Sequence, residues 1–209
     1  MLLALAITPS VHAGIAPGPI TLAVDATEAT KKIFHVKMSF PVTPGPLSLS
    51  YPKWIPGEHG PTGPLTDVAG LHVTAGGKSL PWERDPIDMY AIRVTVPAGV
   101  RSIDVVFDFL SAAAPVGYSS AASCTQELML QSWNQTLLYP TGSASDDLTY
   151  TASLGLPAGW KYGTALPVAC EGGGSIRFAP ARLTTLVDSP VLAGANFRRV
   201  DLAPGTTPH

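Results

Sequence analysis

Phe34-His35-Val36-Lys37-Met38-Ser39-Phe40 sets four apolar side chains in strict alternation with polar ones. A period of two is the mark of a strand with one face buried and the other in water. Working outward, the same pattern recurs in Ile20-Thr21-Leu22-Ala23-Val24, Leu47-Ser48-Leu49-Ser50-Tyr51, Ile92-Arg93-Val94-Thr95-Val96 and Ile103-Asp104-Val105-Val106-Phe107-Asp108-Phe109. Each run is closed by Pro, Gly or a polar turn. Beyond Asp147, Leu148, Tyr150, Ala152 and Leu154 alternate; Trp160 and Tyr162 open another strand after Pro157-Ala158-Gly159, and Ile176 with Phe178 mark one more after Gly172-Gly173-Gly174. Strands this short and closely spaced predict an all-β fold with little helix, an antiparallel β-sandwich or a saddle-like open sheet. Ser119 to Leu130 is read as a short helix or an irregular crossing, and Thr141 to Asp146 as a hinge or a long hairpin loop.

The composition agrees. At 209 residues the chain can bury a large core without a metal or a disulfide to hold it together. Only 13% of residues are charged and the net charge is −2, so nothing supplies the basic field that a nucleic-acid backbone requires. The 21 prolines and 20 glycines are spread along the chain, as short strands joined by tight turns demand. Residues 1–13 read as a truncated signal segment: the apolar Met1-Leu2-Leu3-Ala4-Leu5-Ala6-Ile7 precedes Val11-His12-Ala13, a small-residue cleavage site, although an ordinary apolar terminus is the competing reading. The run is far too short to span a bilayer. Export would place the protein in the periplasm or outside the cell. There Cys124 and Cys170 are candidates for one disulfide, with a pair of buried thiols as the alternative.

The chemistry of the sequence is chiefly one of exclusions. A gluzincin places two histidines four apart on a helix with a glutamate between them, so that both imidazoles reach zinc and the carboxylate activates its water. The histidines are His12, His35, His59, His72 and His209, and no two stand at that spacing. His35 and His72 fall on the polar faces of strands and read as solvated histidines. No Gly-x-Ser-x-Gly elbow or catalytic cysteine signature is present, and the carboxylate pairs Asp146-Asp147 and Glu83 with Asp85 lie in turns, where capping is their ordinary use. The expectation is no catalytic residue, no metal ligand and no cofactor in this chain. Asn134-Gln135-Thr136 meets the glycosylation sequon formally.

One segment stands apart. Tyr51-Pro52-Lys53-Trp54-Ile55-Pro56-Gly57-Glu58-His59-Gly60-Pro61-Thr62-Gly63-Pro64 leaves a strand as a proline-stiffened loop around a large aromatic, which costs little entropy to order. It reads as a structural loop carried by Trp54, Pro56, Gly57 and His59, with Trp54 plugging one end of the core; a ligand site is the alternative.

Trp54-x-Pro56-Gly57, then Gly77-Lys78-Ser79-Leu80-Pro81-Trp82-Glu83-Arg84-Asp85 and Asp88-Met89-Tyr90, resembles the amino-terminal domain of the glycyl aminopeptidase family of zinc metallopeptidases. Leu137-Leu138-Tyr139-Pro140, Leu156-Pro157-Ala158-Gly159-Trp160-Lys161-Tyr162-Gly163-Thr164-Ala165-Leu166 and Leu186-Val187-Asp188-Ser189-Pro190-Val191-Leu192-Ala193-Gly194 are similar in order and spacing. The likeness runs from about Ile20 to Asp201. It departs at His59, where many relatives carry tyrosine.

The resemblance implies an exported β domain over residues 14–202, a linker over 203–209, and a thermolysin-like catalytic domain beyond, often with a PDZ domain. That catalytic domain, the partner in cis, would hold the zinc and meet the peptide substrate. In related enzymes the β domain packs over the cleft and lends residues to its rim, which makes Gln126 and Glu127 candidates for contact with a substrate ammonium. The competing function is a stand-alone exported β-sandwich that binds a carbohydrate or a protein. A domain built to meet a partner should expose a large apolar patch.

Overall fold

The computed structural model describes residues 14–55, 59–111 and 123–200. The leading segment 1–13, Pro56, Gly57, residues 119–122 of the 119–130 stretch and the 203–209 tail lie outside them.

In chain order the strands are β1 (Ile20–Asp25), β2 (Ile33–Pro41), β3 (Gly45–Ser50), β4 (Val68–Ala75), β5 (Lys78–Leu80), β6 (Trp82–Arg84), β7 (Ala91–Val96) and β8 (Ser102–Leu110). There follow β9 (Leu128–Gln131), β10 (Tyr139–Pro140), β11 (Thr149–Gly155), β12 (Lys161–Gly163), β13 (Val168–Gly172), β14 (Ser175–Phe178), β15 (Ala181–Arg182) and β16 (Val191–Gly194). Among the described residues the α-helix α1 (Leu183–Val187) is one turn and a half, and short 3-10 turns complete the set. The fold is all-β.

Nine strands make one sheet in the order β13-β14-β11-β1-β2-β8-β4-β5, with β15 also on β11; a four-stranded sheet runs β10-β3-β7-β6, and a three-stranded ribbon runs β12-β16-β9. All pairings are antiparallel save β1 with β11, where Ile20 lies beside Tyr150 and Asp25 beside Gly155 in parallel. The antiparallel, all-β expectation thus holds for every pair but this one. Local alternation fixes which side of a strand is buried, but the neighbour of β1 arrives more than a hundred residues later and its direction is set by the path between.

The alternating residues do what their period dictates. Ile20, Leu22 and Val24 of β1, Phe34, Val36, Met38 and Phe40 of β2, and Ile103, Val105, Phe107 and Phe109 of β8 all point into one buried cluster, with Leu49, Val94 and Val96 of the smaller sheet. Residues 131–138, Gln131-Ser132-Trp133-Asn134-Gln135-Thr136-Leu137-Leu138, are buried throughout and close the end of that core. Several of their polar groups are tied internally: Trp133 Nε1 donates to Ser189 O at 3.0 Å, Tyr51 Oη to Gln135 O at 2.9 Å, and Tyr150 Oη to Leu138 O at 2.9 Å, whereas Gln131 Oε1 and Gln135 Oε1 are buried without a partner among the described residues. Such pairing is what allows a polar stretch into a dry interior. Burial of Asn134 withdraws the sequon from any modifying enzyme in the folded state.

Two further readings are corrected. Leu128-Met129-Leu130 belongs to a strand, since only Met129 of the three is buried and the period is two. The short helix lies instead at α1, where Leu183 and Leu186, three apart, turn to the same buried side.

Candidate functional site

Two surfaces carry side chains that the core does not explain. The first is the stiff loop after β3. Gly63 N donates to Lys53 O at 3.0 Å, closing the loop on itself. It is then stapled to the turn at 85–90: Lys53 Nζ pairs with Asp88 Oδ2 at 2.8 Å, Tyr90 Oη donates to Pro61 O at 2.7 Å, and Tyr51 N donates to Tyr90 O at 2.8 Å. The opposing turn is fixed by Asp85, whose Oδ1 accepts from Ile87 N and Asp88 N. These backbone donors, the first cause of its shift, hold the Asp85 carboxyl below the usual carboxylate range; Lys53 does the same for Asp88.

On this rigid base Trp54 is 62% exposed, Ile87 92% and Met89 61%. The expectation that Trp54 plugs the core is overturned. The plug is Trp133, fully buried and packed edge-on against Phe178 at 5.7 Å. His59 is exposed in the same loop. Ile87 and Met89 are not legible as functional from their own identities, although Asp85-Pro86-Ile87-Asp88 places an apolar residue at the tip of a turn made by Asp and Pro.

The second surface is the ribbon β12-β16-β9 with its two ends. Thr125 Oγ1 accepts from Glu127 N at 3.2 Å and Leu128 N at 3.0 Å, and so folds a tight turn with Gln126 exposed in it. Glu127 is engaged within the domain: its carbonyl accepts from Ala195 N at 2.9 Å and its carboxylate from Asn196 Nδ2 at 3.1 Å. The two rim candidates are thus brought together and differ, Gln126 facing water and Glu127 holding the chain that leaves β16. A groove of about 290 Å³ lies beside them. On the other edge, Tyr162 donates to the Glu171 carboxylate, tying the ribbon to β13; burial and that bond push the Tyr162 phenol up to about 12.

The structure does not bring the cysteines together. Cys124 is buried beside Met129 and Cys170 is exposed in β13, both as free thiols, so neither the disulfide nor a pair of buried thiols describes them. Burial pushes the Cys124 thiol up, away from nucleophile range. On the polar face of the large sheet, His35 Nδ1 lies 2.7 Å from Asp108 Oδ1 and Nε2 lies 3.6 Å from Glu28 Oε2. These partners, Asp108 first, raise the imidazole pKa. Among the described residues no three His, Cys, Asp or Glu converge as metal ligands, so they offer no fit for zinc. No described helix is long and apolar enough to cross a membrane.

A family model, the Peptidase M61 N-terminal domain, matches residues 21–195. The chain belongs to this family. Its fold is shared with larger solved proteins. An aminopeptidase N family protein from Idiomarina loihiensis superposes with a TM-score of 0.74 at 21% identity, over 89% of this chain and 31% of that one. An M1 zinc metallopeptidase from Deinococcus radiodurans gives 0.51 at 12% identity over 88% and 42%, as does a form of it bound to a Tyr-Ser-Ala substrate, over 88% and 43%. The M61 amino-terminal domain thus spans between about a third and two fifths of the chains it resembles. No curated protein matches it.

Proposed function

We propose that this chain is the non-catalytic amino-terminal β domain of an exported zinc aminopeptidase, which packs on a catalytic domain in cis and shapes the mouth of its substrate cleft. The observation that carries the reading is the family match over residues 21–195. The uncovered apolar side chains support it: Trp54, Ile87 and Met89 stand in water on stapled loops, and a fixed apolar patch is the signature of a surface made to meet protein. Zinc and the catalytic machinery belong to the partner domain, and the periplasm or the extracellular space is where the apolar leading segment would send the protein.

In this reading Gln126 offers its amide oxygen to the ammonium group of a short peptide, while Glu127 keeps the turn in place. Cleavage of amino-terminal residues is to be measured with the gene's complete product. The Gln126→Ala change should raise KM about tenfold with kcat little altered, the loss of one hydrogen bond to a charged group. An unchanged KM removes Gln126 from the rim, and a complete product without peptidase activity removes the enzyme reading.

A stand-alone exported module that binds carbohydrate or protein is the second reading, favoured by one observation: Trp54 is exposed, as a sugar-binding platform would need. The loop argues for protein, because Ile87 and Met89 on the turn stapled to it are apolar and exposed, and Lys53 and Asp88 pair with each other. Quenching or shift of Trp54 fluorescence by oligosaccharides, lost in Trp54→Ala, would establish the sugar-binding alternative.

A further inference from the structure

Residues 195–200 do not leave the fold as a loose linker. Ala195 and Asn196 are both bonded to Glu127, and the Phe197 ring lies so close over β12 that a Cβ at Gly163 would sit 3.1 Å from its Cζ. Gly194 is equally committed, since a Cβ there would come within 2.6 Å of Glu127 O. A side chain at Gly194 would part β16 from the Glu127 turn, and one at Gly163 would make the Phe197 ring give way slightly. The outgoing chain is therefore held to the ribbon from Ala195 to Phe197.

The outer face of the ribbon beside that exit is apolar and uncovered. Alternation sends Met129, Val191 and Ala193 into the core, and it leaves Leu128 and Leu192 each 45% exposed on the opposite face, with Val200 60% exposed at the end of the strap. The strap reaches this face, since Asn196, Phe197 and Arg198 line one groove with Leu128 and Leu192.

We propose that the outer face of β9 and β16, with the strap 195–200 along it, is the seat of the polypeptide downstream of Val200 and of the catalytic domain to which it leads. This rests on the reading of the chain as a peptidase amino-terminal domain, and it adds a covered surface other than the Trp54, Ile87 and Met89 loops, at the point where the chain leaves the fold. Because the Gln126 turn opens the same strand, the seat also sets how that turn meets the cleft.

Amide hydrogen exchange compares the 209-residue protein with the complete product of the gene. With the downstream polypeptide present, amides of 128–131 and 191–200 should exchange at least tenfold more slowly, while the β13 edge is unchanged. Leu192→Asp or Leu128→Asp should restore the fast exchange in the complete product, whereas Val168→Asp, an apolar change of similar exposure on β13, should not. Matching circular-dichroism melts of the variant 209-residue proteins show that any loss is not misfolding. A complete product that is an active peptidase with unprotected β9 and β16 overturns the seat and leaves the peptidase reading standing. A product that ends at His209 overturns both. Protection that appears in the 209-residue protein and grows with its concentration assigns the face to a second copy, and that also overturns the proposal.

Discussion

Trp133 and Trp54 are the same side chain in opposite circumstances. Their sequence surroundings point the wrong way, for Trp133 lies between Ser132 and Asn134 while Trp54 is followed by Ile55. Trp133 has its indole N–H paired with Ser189 O inside the protein, and it carries no solvent-accessible surface; Trp54 sits in a loop stapled from outside, and it keeps 62% of its surface in water. The difference teaches that stiffness and burial are separate properties. Hydrogen bonds and an ion pair hold the loop after β3 around an exposed Trp54, whereas residues 131–138 are fixed by being enclosed. Rigid and dry is what a core needs. Rigid and wet is what a docking surface needs, because the entropy of ordering is lost before the partner arrives.

The sharpest test of that contrast is truncation. Trp133→Ala should cost about 3–5 kcal/mol, the range for deleting a buried aromatic that leaves a cavity, measured as the loss in urea-unfolding free energy; a loss below ~1 kcal/mol would mean that the end of the core collapses to refill the space. Two tyrosine hydroxyls repeat the comparison at lower amplitude. Tyr51 donates to Gln135 O in the interior and Tyr90 donates to Pro61 O at the surface. Tyr51→Phe leaves a buried carbonyl without its partner and should cost about 1–3 kcal/mol, while Tyr90→Phe hands its acceptor to water and should cost under about 1 kcal/mol. Equal losses would break the distinction between the dry and the wet anchor.

The wet face also titrates. The His35 pKa is raised in the folded protein by Asp108 and Glu28, so its contribution is fully present below the unfolded value near 6.5 and is lost as pH rises through the raised folded value. The pair is exposed to solvent, which limits the effect to about 0–1 kcal/mol and makes it sensitive to salt. Melting of the protein and of His35→Gln should differ at pH 5.5 and converge toward pH 9. A difference that grows with pH would contradict the ion-pair geometry. The smallest effect is expected where the side chain is most conspicuous: Trp54→Ala should change stability by no more than about 0.5 kcal/mol, as surface substitutions do, while removing the tryptophan fluorescence that acrylamide quenches most readily.

Much of the architecture was legible in the chain. The alternation of Phe34 to Phe40 and of Ile103 to Phe109 placed both strands and their buried faces, because a period of two is written residue by residue. Short strands such as β9 and β16 were harder to find, since four residues hold barely two alternations and the apolar Leu128-Met129-Leu130 suits a helix as well. The turn at Gln126 and Glu127 could be singled out, but the division of labour between them could not. Glu127 is engaged by Ala195 and Asn196, nearly seventy residues away.

The sequence by itself determined the fold class, the family and the lack of a His-Glu-x-x-His array within these 209 residues, because all three rest on local period, order and spacing. Only the tertiary structure decided that Trp133 and not Trp54 closes the core, that β1 and β11 run in parallel, that Cys124 and Cys170 stay apart, and that the strap after β16 is held by Glu127. Each of these is a meeting of segments distant along the chain. Which surfaces meet is fixed by the packing of the whole, and neither partner carries that information alone.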